Sequence, residues 1–81
     1  MTAENAIEKR IEHMLAKVRE AAPSEVMLSR WYRTAKGKYE SAVKSGHGDG
    51  LLNDAILRNY ALKEACKMYA EEKGYTLEVK R

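Results

Sequence analysis

An 81-residue chain with 15 Lys and Arg against 12 Asp and Glu is long enough for one domain, and its net charge is a modest +3. Cys66 is the only cysteine, which excludes an internal disulfide and suits a reducing compartment. The opening residues Met1-Thr2-Ala3-Glu4-Asn5 lack the basic start and apolar run of a signal peptide, and no apolar stretch nears the roughly 20 residues that cross a bilayer, so the sequence predicts a cytoplasmic protein with no membrane partner.

A domain of this size buries only about 60% of the surface its unfolded chain exposes, so its core is thin. Extra stability in such domains usually comes from disulfides, a metal or a second subunit, and an internal disulfide is excluded here. Residue choice favours helix: Phe is absent, Pro23 is the single proline, and Ala, Glu, Lys, Leu, Arg and Met are abundant. The sequence predicts an all-α fold, a three-helix bundle occupying the whole of residues 1–81 as a single helical domain.

The first helix is expected over residues 3–22. Stepping at about 100° per residue, Ile7, Ile11, Met14, Leu15, Val18 and Ala22 form one stripe, with Glu12, His13 and Glu20 opposite. Thr2 is placed to cap it, and Pro23 ends it by disfavouring helical geometry at Ala22. The second helix is expected over 24–45, capped by Ser24, with Glu25 set against its positive end. Leu28, Trp31, Tyr32, Ala35, Tyr39, Ala42 and Val43 share its inner face. Lys36–Glu40 and Glu40–Lys44 are spaced for surface pairing, and Gly37 interrupts the outer face.

Gly46-His47-Gly48-Asp49-Gly50 reads as a turn, and a third helix is expected over 51–73 with Gly74 as its stop. That helix is apolar on two sides. Leu51, Ala55, Leu62, Ala65, Cys66 and Tyr69 make one face; Leu57, Ala61 and Met68 make a second, nearly opposite. Such a helix is contacted from two sides. The C-terminal tail alternates Tyr75, Leu77 and Val79 with Thr76, Glu78 and Lys80, a strand-like period with no second strand to pair with. It is expected to lie extended over the bundle or to pair outside the chain.

Residues for chemistry are sparse. One cysteine and two distant histidines do not make a zinc site, and His47 with Asp49 reads as polar decoration of a glycine turn. The turn lacks the P-loop lysine and follows a helix, so it matches neither nucleotide fingerprint. Cys66 falls on an apolar face, where burial keeps a thiol inert. The expectation is a protein that is not an enzyme and takes no cofactor or metal.

Two readings remain. The first is a protein–protein interaction module, most simply a homodimer, using the surplus apolar surface of Leu57, Ala61, Met68, Tyr75, Leu77 and Val79. The alternative is a nucleic-acid-binding accessory protein. Residues 30–44 hold Arg30, Arg33, Lys36, Lys38 and Lys44 against Glu40 alone, and Arg30, Arg33 and Lys44 share one face with Gly37. Its candidate contacts are Arg30, Arg33, Lys36 and Lys44.

Trp31, the glycine turn, Leu51-Leu52, Asp54 and Tyr60 together resemble the helical region of phage terminase small subunits, over about half of the chain. The resemblance implies a small protein of bacterial, phage or mobile-element type. The chain shows no separate DNA-binding helix-turn-helix beside that region.

Overall fold

The structure is a computed structural model that describes residues 3–45 and 54–77. It is all-α: α1 spans Ala3–Ala21, α2 spans Glu25–Lys44 and α3 spans Asp54–Lys73. The expected cap at Thr2, the glycine turn 46–50, the start of the third helix at 51–53 and Val79 lie outside the described residues. No described helix is long and apolar enough to cross a membrane.

The helix ends follow from local chemistry. Ala22 leaves α1 in the left-handed region at φ 48°, immediately before the proline. The Ser24 hydroxyl accepts the Met27 backbone N–H at 3.2 Å, which satisfies one orphan donor of α2. At the far end Gly74 turns with φ 76°, and Tyr75 N–H donates to Ala70 O at 2.8 Å. That is the 6→1 bond of a Schellman stop, completed by an edge-on contact of Tyr75 with Tyr69, their centroids 6.3 Å apart.

The helix α2 runs unbroken through Gly37. A Cβ built there would meet nothing within 4 Å. Gly37→Ala therefore relieves the backbone-entropy cost of glycine without a clash, and should raise stability by about 1 kcal/mol and the melting temperature by roughly 4–8 °C. Thermal unfolding followed by circular dichroism measures it.

The outline, 32 × 32 × 16 Å, is flat. A 20-residue helix is about 30 Å long, so two such dimensions require one helix to lie across the others. The antiparallel pair is α2 with α3: Tyr39 meets Tyr60 at a centroid distance of 5.3 Å near one end, and Glu25 reaches Thr76 at the other. The Lys63 ammonium of α3 sits 4.8 Å from the Tyr60 ring centroid and 5.8 Å from that of Tyr39 on α2, tying the first of these ends together. The crossing helix is α1. Glu8, Ile11 and Glu12 border Met68, Met14 and Val18 border Leu62, and Arg19 pairs with Glu72. Both α1 and α2 pack on α3 and scarcely touch each other.

Leu15 and Val18 of α1, Leu28 of α2, and Ala65, Cys66, Tyr69 and Ala70 of α3 form the buried core where the three helices meet. The two-sided pattern of α3 thus has its expected cause. Small residues, Ala61, Ala65, Cys66 and Ala70, are buried along it, and small side chains let neighbouring helices approach closely. Tyr75 and Leu77 pack against this core while Thr76 points out, its N–H donating to a Glu25 carboxylate oxygen at 2.9 Å. The tail's alternation is therefore used against the bundle, and no strand occurs among the described residues.

Candidate interaction surfaces

The structure divides the six apolar residues expected at an interface. Ala61 is fully buried within the chain, so it offers a partner nothing; this corrects the expectation. Its cause is the position of α3 between the other two helices, which covers part of the second stripe internally. Tyr75 and Leu77 are half-buried against the chain's own core. Leu57 is half-buried as well, and Met68 stands 42% exposed in a shallow recess beside Glu8, Ile11 and Glu12.

A different apolar surface exists. Because α1 lies across α3 and leaves α2 apart, an open groove of about 380 Å³ forms between them. Leu62 of α3, Trp31 of α2, and Met14, Val18 and Ala21 of α1 line it, with Lys17 as its one charged group. Met27, 39% exposed, is one turn before Trp31 on α2. Periodicity assigns Met14, Trp31 and Leu62 to the inward faces of their helices, and they do lie there. What periodicity does not contain is the crossing angle, which decides whether inward faces close on each other or stay parted. The sole tryptophan was the available signal, since a ring of that size is seldom fully enclosed in so small a fold.

The basic residues of α2 lie as their spacing implies. Arg30, Arg33, Lys38 and Lys44 are exposed and Lys36 is half-buried. Neither Lys36 nor Lys44 pairs with Glu40 among the described residues. An ion pair does join α1 to α3 at Arg19 and Glu72, where Arg19 Nε donates to Glu72 Oε1 at 3.1 Å. That hydrogen bond holds the Glu72 carboxyl below the usual carboxylate range. Both partners are well exposed, so the pair orients α1 more than it stabilises it.

Cys66 is enclosed in the core, and burial pushes its thiol up to about 11. At neutral pH it stays protonated, which makes it a packing group and no nucleophile. Among the described residues no group of three or more His, Cys, Asp or Glu is placed to hold a metal ion. Comparison with known proteins finds no match: no family model, no curated protein and no solved structure matches this chain.

Proposed function

We propose that this chain is a non-enzymatic interaction module that works by self-association. The observation that carries the reading is the groove between α1 and α2, an apolar surface holding the only tryptophan and one cation. Tryptophan is among the residues enriched as energetic anchors at protein interfaces. Fully burying a Leu or Met side chain contributes roughly 1.5–3 kcal/mol, a large share of the stability of a small domain.

A second copy is the occupant because the chain itself is short of burial. Among the described side chains of α1 only Leu15 and Val18 are buried, while Ile7, Ile11 and Met14 of the same stripe remain half-covered. A single-core fold of this size with no disulfide gains most from another subunit. The lone cysteine suits the reducing cytoplasm as its place of action. The resemblance of Trp31, Asp54 and Tyr60 with their neighbours is the ground for a bacterial, phage or mobile-element setting.

Light scattering on the purified chain tests the reading. The expected mass is twice 9.2 kDa, falling to the single value in Met14→Glu, which places a charge on the groove wall without entering the buried core. Dilution of the native protein should shift Trp31 emission to longer wavelength as the groove takes up water. A monomer of unchanged emission throughout the micromolar range would overturn it.

A further inference from the structure

The outer face of α2 carries a second, separate feature. Arg30, Arg33 and Lys44 are exposed there with Gly37 between them, and Lys36 is half-buried at the edge. At 3.6 residues per turn the first four of these positions fall within ~60° of arc, and Arg30 to Lys44 spans roughly 21 Å of helix. The result is a straight cationic stripe on the side of α2 turned away from its buried residues Leu28 and Ala35.

Among the described residues no acidic group pairs with this charge: none of Arg30, Arg33, Lys36 and Lys44 forms an ion pair there. Arg30 and Arg33 are one turn apart, a spacing at which like charges oppose helix formation. Gly37 is likewise unexplained by packing, since a side chain there would meet open space. A helix that keeps clustered cations and a central glycine on an exposed face is less stable than one with mixed charges and alanine. Both features suit one kind of ligand, a long polyanion that lies along the stripe and comes close to the helix backbone at its centre.

We infer that the outer stripe of α2 binds the phosphodiester backbone of nucleic acid without reading its sequence. Arg30 and Arg33 supply forked donors suited to phosphate oxygens, and Lys36 and Lys44 extend the positive field along the helix. Trp31, Tyr32 and Tyr39 are half-buried toward the opposite face, so base stacking is not available to this surface. Contacts limited to phosphate position a nucleic acid but carry no sequence information. This inference is independent of the groove and of self-association.

Fluorescence anisotropy with the intact chain tests it, using labelled DNA duplexes of two unrelated sequences and an RNA duplex of the same length. Phosphate contacts from the three exposed cations of the arc, Arg30, Arg33 and Lys44, give a salt slope near −2.7 on a DNA duplex, so affinity should fall about 40-fold between ~50 and ~200 mM salt. The two DNA sequences should bind alike, and the RNA arm shows which backbone geometry fits better. Arg30→Glu with Arg33→Glu, both on exposed positions, should abolish binding while the helical circular dichroism is retained. Absence of binding to every duplex at ~50 mM salt, or binding that the double variant leaves intact, would overturn the inference.

Discussion

Ala61→Glu is expected to unfold the domain, whereas Met68→Lys should leave its stability within about 0.5 kcal/mol. The sequence places both residues on one stripe of α3, but the chain covers Ala61 completely and leaves Met68 42% exposed. A carboxylate at Ala61 would sit at a position closed to water, and an uncompensated buried charge costs about 4 kcal/mol or more. Stability scales as roughly 0.05–0.15 kcal/mol per residue, so that cost approaches the whole of what an 81-residue chain has. At Met68 a lysine keeps an apolar stem on the surface and brings its ammonium beside Glu8 and Glu12. Urea unfolding of the two variants measures the difference. Equal effects would mean that Ala61 is as open as its stripe partner.

Leu28→Ala should destabilise the domain by about 4 kcal/mol and lower its melting temperature by roughly 15–30 °C. Leu28 is fully enclosed and is the side chain that α2 sends into the core shared by Leu15 and Val18 of α1 and by Cys66 and Tyr69 of α3. Removing it leaves a void where three helices meet. Ala65, Cys66 and Ala70 of the same cluster are too small to refill the space, which puts the cost toward the upper part of the range for such truncations. Leu28→Met, which conserves volume, should cost less than about 1.5 kcal/mol. Differential scanning calorimetry on the pair reads both values, and a loss below about 1 kcal/mol for the alanine variant would show that α2 does not seal the core.

Local chemistry was legible because it acts over a few residues. Ser24 caps α2, Pro23 separates two helices, and Gly74 stops α3, each as its residue type implies. The tail's alternation was legible too, although its outlet was not. Tyr75 and Leu77 return to the chain's own core because the Schellman turn at Gly74 redirects them there and Glu25 receives the Thr76 N–H. Of the basic stripe, the whole arrangement was readable from spacing alone, since one helix face depends only on the 3.6-residue period. The apolar site was not. Met14, Trp31 and Leu62 come from three helices, and their meeting in an open groove depends on how those helices cross.

By itself, then, the sequence determined three helices, the ends at Pro23, Ser24 and Gly74 and the two-sided contact of α3, which follow from propensity, capping and periodicity within single segments. Ala22, Val43 and Ala55, by contrast, are assigned by periodicity to inward faces but stand exposed. Tertiary structure alone decided that α1 lies across the α2–α3 pair. That choice buried Ala61, left Met68 outside, and parted Trp31 from full enclosure. The physical reason is that a crossing angle is set by how side chains of two helices interlock, a property of pairs of surfaces that no one-dimensional pattern contains.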